Sequence, residues 1–135
     1  MTRLLLDLFS IETDFTPDPQ AHAQGLDLLM QCEDAALFVA ETDHRIVGMC
    51  TVQVLISTAM GGKVGKVEDV VVDAEHRGMG IGSSLLQAVE EWAGSRQLSR
   101  LQLQADRNNH PALRFYERQL WNQTQLIGYS KILPC

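Results

Sequence analysis

At 135 residues, 45% apolar and 21% charged, the chain has the composition of one globular domain over 1–135, able to bury about two-thirds of its unfolded surface. A net charge of −6 with no basic stripe argues against a nucleic-acid partner, and no apolar run reaches the length of a membrane span. The opening Met1–Phe9 has one basic residue, an early Asp7 and no small-residue cleavage site, so no signal peptide is expected and the cytoplasm is the expected compartment.

Leucines at 4, 5, 6 and 8 predict a short helix over Arg3–Phe9, packed on the core. Ser10–Pro19, with two prolines and several acids, reads as a loop. Asp18 suits an N-cap with Pro19 at the first helical position. The helix should then run to about Gln31, with Leu26, Leu29 and Met30 facing inward. Ala36–Glu41 reads as a strand, Thr42–Arg45 as a tight turn and Ile46–Ile56 as the returning strand. Thr58–Gly65, holding Gly61 and Gly62, is expected to be a mobile loop. Cys32, Cys50 and Cys135 are odd in number and far apart, which is neither a disulfide framework nor a metal spacing, so reduced thiols and no metal are expected. Cys50, within a strand, suits a small buried hydrophobe better than a nucleophile.

Lys66–Leu86 is the most informative stretch. Val67, Val70, Val71 and Val72 are β-branched, as a buried strand prefers, and Asp73–His76 are turn formers. Gly78, Gly80 and Gly82 clear side chains from the backbone where a helix begins, its apolar residues recurring as Ile81, Leu85, Val89 and Trp92 or Ala93 up to about Ser95. Unpaired N–H groups and a partial positive charge at a helix start attract phosphate. The Lys that a P-loop requires is missing, since Ser83-Ser84 follows Gly82. The dinucleotide fingerprint also fails, because its third glycine would fall at Ser83 and no acidic residue closes a second strand. Leu98–Gln104 alternates as a strand beside the motif strand, Pro111 opens a helix with Ala112, Phe115 and Tyr116 inward, and Trp121–Leu133 predicts one or two closing strands. The sum is a mixed α/β single domain.

Arg77-Gly-Met-Gly-Ile-Gly82 resembles the Arg/Gln-x-x-Gly-x-Gly/Ala pattern of the GNAT N-acetyltransferase superfamily, and Asn109-His-Pro-Ala-Leu-Arg-Phe-Tyr-Glu117 resembles the same family's Asn-x-x-Ala-x-x-Phe/Leu-Tyr-Glu segment. The resemblance runs from about Leu4 to Ile132 and implies the GNAT acyl-CoA N-acyltransferase fold, with acetyl-CoA as co-substrate and an amine as acceptor. It places the cofactor's pyrophosphate on Arg77, Gly78, Met79, Gly80, Ile81, Gly82 and Ser83, and its pantetheine arm along the backbone of Val70, Val71 and Val72. An N–H near Val71 would polarise the thioester carbonyl. Asn109 would bind the cofactor arm, or equally cap the helix that follows. Glu68 is implied as the base and Tyr116 as the acid that protonates the leaving thiolate, their alternatives being a solvated carboxylate and an amphipathic core tyrosine. Asp69 would point to the opposite face if the strand is regular. His110, Arg114 and Arg118 form a basic helix face, with a solvated surface the favoured role for Arg118.

Two departures stand out. No strand of the family's kind is read ahead of the first helix, so that either it is absent or the sequence begins after it, and the family's Gly-Phe after the second motif is Leu120-Trp121, which changes the expected helix exit. Sheet edges left open by the missing strand predict a homodimer. The run Val67-Glu-Asp-Val70 also resembles glucosamine-phosphate and small-molecule amine acetyltransferases, favouring a small acceptor and direct attack in a ternary complex. The alternatives are a non-catalytic acyl-CoA-binding or sensor domain, a protein-lysine or N-terminal acetyltransferase, and a structural subunit.

Overall fold

The computed structural model describes residues 1–12 and 14–134, in two compact units, Met1–Leu103 and Gln104–Cys135. The first unit runs α1 (Thr2–Ile11), α2 (Pro19–Gln31), β1 (Ala35–Thr42), β2 (Arg45–Ser57), β3 (Gly62–Val72), a 3-10 turn (Ala74–His76), α3 (Ile81–Ser95) and β4 (Leu101–Gln102). Its sheet has the order β1-β2-β3-β4, antiparallel except for the β3–β4 pair. The mixed α/β class read from the sequence is the one observed. As expected, a helix precedes any strand, and among the described residues the outer edge of β1 has no strand partner.

The local chemistry accounts for the elements. Asp18 caps α2 by accepting from the N–H groups of Gln20 and Ala21, with Pro19 at the start. Asp43 and His44 both take positive φ (49° and 60°), the two-residue turn whose twist matches the strands it joins. Leu4, Leu5, Leu26, Met49 and Val71 form the core between the sheet and α1 and α2. On the opposite face, a Cβ at Gly48 would come within 3.0 Å of Ile81 and 3.2 Å of Leu85, so that glycine lets α3 sit close to β2. Met30, expected inside, is 59% exposed, because Leu26 and Leu29 already fill the inner stripe of α2.

The loop expected over 58–65 is instead a tight hairpin. β3 begins at Gly62 and pairs from Ser57↔Gly62 onward, so Lys63, Val64 and Gly65 are strand residues. Gly65 reads as loop chemistry but serves packing, since a Cβ there would lie 2.7 Å from Leu101 of the adjacent strand. β4 is also shorter than Leu98–Gln104, pairing with β3 only at Gly65↔Leu101 and Lys66↔Gln102. Leu98 is drawn out of strand geometry because its N–H closes the C-terminus of α3 on the Ala93 carbonyl.

The second unit contains α4 (His110–Arg118), opened by Asn109, whose side chain accepts from the Ala112 N–H. No strand forms over 121–133 among the described residues, contrary to expectation. Strand propensity is realised only against a neighbouring ladder, and this segment pairs with none among the described residues. At the exit of α4, leucine stands where the family pattern has glycine, and the chain turns through a left-handed residue there. Leu120 adopts φ 66°, its N–H reaching the Glu117 carbonyl while the Trp121 N–H reaches that of Tyr116. A leucine thus occupies the left-handed position that glycine ordinarily fills, at 88% exposure and with little packing in return. Leu120→Gly should therefore stabilise the protein by about 0.5–1 kcal/mol. A melting temperature that does not rise would show that this backbone is not strained.

Candidate active site

β3 is not regular. Met49 pairs with Val71 and Thr51 with Glu68, so Cys50 alone faces Asp69 and Val70, and Asp69 takes φ 56°. This is a β-bulge, and it resets the alternation of faces. Val72 pairs with Gly48 on the α3 side and Val71 joins the α1–α2 core, yet Glu68 and Asp69 both line the cavity on the α1–α2 side. The expectation that Asp69 points away from Glu68 therefore fails, because it assumed a regular strand. Left-handed φ costs an ordinary side chain about 1–2 kcal/mol, and aspartate is among the residues that tolerate it best.

The cavity holds about 470 Å³ and is walled by α1 and α2 over β2 and β3. Its polar groups are Glu68, Asp69, His22, Gln53 and Cys32. The Thr51 hydroxyl donates to Asp69 Oδ2 at 3.0 Å. Burial pushes the Asp69 carboxyl above the usual carboxylate range; the Thr51 hydrogen bond opposes this, the Glu68 charge adds to it and His22 opposes it. Glu68 carries the Lys66 ammonium 3.0 Å from its Oε1 and remains half-exposed. His22 stacks on Phe9 with ring centroids 4.7 Å apart, its Nε2 accepting from the Asp18 N–H at 3.0 Å. The sequence reading missed His22, Gln53, Cys32 and the inward turn of Asp69. Its one available signal was two adjacent carboxylates within a valine-rich strand.

The glycine turn opens α3 as expected. Gly78 and Gly80 have φ 75° and 83°, and a Cβ built at either meets nothing within 4 Å. The turn is therefore bare for want of side chains, and no internal packing requires it to be. Gly80 is the N-cap of α3 and supplies no side-chain cap, so the first turn formed by Ile81, Gly82 and Ser83 presents the positive end of the helix dipole. Met79 is 69% exposed beside them. These residues fit a pyrophosphate. Arg77 Nε donates to the Val72 carbonyl at 3.1 Å, tying the turn to the end of β3. Asp73 braces the same corner, with Oδ2 3.4 Å from Arg3 and from Arg45 and 3.7 Å from His76 Nδ1. Burial alone would raise Asp73, but the Glu75 N–H and the charges of Arg3, Arg45 and His76 outweigh it and hold the carboxyl below its usual value.

Since β4 pairs only at Gly65 and Lys66, the β4-side edge of β3 has no ladder partner from Val67 to Val72 among the described residues. The bulge and this open edge together leave strand backbone available around Val70, Val71 and Val72. Cys50 is buried, and burial foremost, with the Asp69 charge, pushes its thiol up to about 12, so it stays a thiol and carries no acyl group. Cys135 lies outside the described residues.

In the second unit, the Tyr116 ring is half-buried, with its centroid 5.2 Å from that of Phe115 and 6.2 Å from that of Trp121. Trp121 thus supplies an aromatic neighbour to Tyr116. Asn109 takes the helix-capping role that its sequence left open. His110, Arg114 and Arg118 are exposed on α4.

The bulged strand thus leads into a glycine turn at a helix N-terminus, and two carboxylates of that strand line a cavity. The acetyltransferase (GNAT) family matches residues 5–120, and the chain belongs to that family. It is 33% identical over 86 residues to a streptothricin acetyltransferase of Escherichia coli, covering 64% of this chain and 47% of that protein. It is 32% identical over 83 residues to a glucosamine 6-phosphate N-acetyltransferase of Trypanosoma brucei brucei, covering 61% of this chain and 54% of that protein. The chain spans about half the length of these curated relatives. Among solved structures, an aminoglycoside acetyltransferase from an uncultured soil metagenomic sample superposes with a TM-score of 0.80 at 25% identity, covering 98% of this chain and 85% of the other.

Proposed function

We propose that the protein transfers the acetyl group of acetyl-CoA to a primary amine of a small molecule, by direct attack with both substrates bound. The observation that carries this reading is the bulge at Asp69, which turns two carboxylates toward one cavity, on a strand whose unpaired β4-side edge leads to the glycine turn. The names of the relatives and of the similar solved structure, which specify streptothricin, glucosamine 6-phosphate and an aminoglycoside, support a small acceptor over a protein one.

The glycine turn holds the pyrophosphate, and the backbone of Val70–Val72 pairs with the pantetheine arm. Acetyl-CoA supplies a thioester whose carbonyl carbon accepts the amine lone pair; a C–N bond forms, the C–S bond breaks, and the thiolate leaves. A lysine-like amine is neutral only about once in 2,500 at pH 7, a cost of about 4.6 kcal/mol, so a base that accepts its proton matters. The Glu68–Asp69 pair takes this role. Asp69 is assigned as the base, because burial raises its carboxyl above the usual carboxylate range while Glu68 is paired with the Lys66 ammonium. Glu68 then attracts and orients the ammonium before it loses its proton.

Tyr116 donates a proton to the departing thiolate, on the strength of its position in the family's second motif. Tyr116→Phe keeps the ring and should lower kcat by about ten- to a hundredfold, or about 1.4–2.7 kcal/mol, with acetyl-CoA affinity unchanged. The check is thiol release from acetyl-CoA with a panel of amines, for the parent and the variant. Release with no amine in the panel, despite tight acetyl-CoA binding, would favour an acyl-CoA-binding domain without transferase activity. Normal turnover by Tyr116→Phe would remove the residue from the chemistry.

A further inference from the structure

The acceptor cavity is unusual in its helical wall. Gly25 lies in the middle of α2 and lines the cavity, yet a Cβ built there meets nothing within 4 Å. Its φ is not in the left-handed region and no neighbour presses on it, so neither backbone conformation nor internal packing requires glycine. Glycine is among the poorest residues for a helix interior, and alanine would be accommodated with better helix propensity. The space a methyl group would take is space left to something outside the chain.

The rest of the wall states what that is. Leu5, Phe9, Leu26, Leu28 and Leu29 give the cavity an apolar side, and Leu28 stays 70% exposed at its lip. Its charged side is Glu68 and Asp69 with His22 beside them; no Lys or Arg is among the lining residues, and Lys66 pairs with Glu68 from outside the lining. A phosphate or carboxylate on the acceptor would face two carboxylates, with the nearby Lys66 already paired to Glu68. A polyhydroxylated body would leave hydroxyls unpaired against leucine and phenylalanine. An ammonium on an alkyl or aryl body satisfies both sides at once.

We propose that the acceptor is a primary amine with an uncharged, apolar body, its ammonium on the Glu68–Asp69 side, and that Gly25 keeps the α2 wall open for that body. This rests on the acetyl-transfer reading and narrows it to one acceptor class. It sets the chain apart from glucosamine 6-phosphate acetylation despite the sequence similarity.

The test compares hexylamine with 6-aminohexanoate, which share chain length and amine but end in a methyl group or a carboxylate, with phenethylamine and glucosamine 6-phosphate alongside. The parent should use hexylamine and phenethylamine with kcat/KM at least tenfold above the two anionic amines. Gly25→Ala should melt about 3 °C higher, raise KM for the two apolar amines about three- to tenfold, and leave KM for acetyl-CoA unchanged. Equal or better use of the anionic amines overturns the acceptor class. An unchanged amine KM in a stabilised Gly25→Ala overturns the role of Gly25. Bound acetyl-CoA with no transfer to any of the four amines, and no binding of them by calorimetry, overturns the acetyl-transfer reading itself, a result distinct from a reversed preference.

Discussion

Gly80→Asp should abolish acetyl-CoA binding, by at least about a hundredfold, while the protein still folds. Gly80 sits at φ 83° with open space where a Cβ would stand, so the substitution meets no atom of the chain. Aspartate tolerates the left-handed region better than most side chains, and the cost to stability is about 1 kcal/mol. The effect on binding has two parts. The side chain fills the place where phosphate oxygens approach the N–H groups of α3, and its charge opposes theirs where the helix dipole had favoured them. Gly80→Asn separates the two, since it has nearly the same bulk and backbone tolerance without the charge. Calorimetry with acetyl-CoA should rank the parent above Gly80→Asn and Gly80→Asp last. A folded Gly80→Asp with parental affinity would place the pyrophosphate elsewhere.

The second large effect concerns the carboxylate pair. Asp69→Asn keeps the left-handed backbone, since asparagine tolerates it, and can still accept from the Thr51 hydroxyl. It loses only the charge. At pH 7 the rate of transfer should fall about 10²–10³-fold, within the range of general acid–base catalysis, and the loss should shrink as pH approaches the amine's own pKa near 10.4. Stability should move the other way. Because burial raises Asp69 in the folded state, ionising it costs the fold stability as pH rises through the raised value. Asp69→Asn should therefore melt above the parent at neutral pH, and the gain should vanish in acid, where the parent also carries the proton. Glu68→Gln should act chiefly on KM for the amine, since Glu68 is half-exposed and its charge is shared with Lys66. If the pH–rate profile of Asp69→Asn overlays the parent's, Asp69 takes no proton; if that of Glu68→Gln carries the pH-dependent loss instead, the roles are exchanged.

Stability and function oppose each other at two positions of this cavity. Asp69 is a half-buried carboxyl group in a left-handed conformation, and Gly25 is a glycine inside a helix. Each is locally unfavourable and each faces the same space, as expected where a binding site rather than the fold selects the residue.

Local chemistry in the sequence was enough to place most of the elements and the phosphate-binding turn. The cap at Asp18-Pro19, the Asp43-His44 turn, the β-branched run Val70–Val72 and the three glycines ahead of Ile81 each act within a few residues, so their signals lie where their effects do. The order of Arg77–Gly82 before Asn109–Glu117 was likewise legible as that of the GNAT family, to which the chain belongs. What the tertiary structure decided is everything that depends on a neighbour distant in sequence. Gly65 is strand rather than loop because it pairs with Val54 and packs against Leu101, and 121–133, expected to supply closing strands, joins no ladder among the described residues. The faces of Glu68 and Asp69 depend on a one-residue bulge opposite Cys50, and a shift of one residue moves every side chain beyond it to the other side of the sheet. No pattern in Lys66–Val72 announces that bulge. Only the pairing of β3 with β2, and the packing of α1 and α2 over it, turns two consecutive carboxylates into one wall of a cavity.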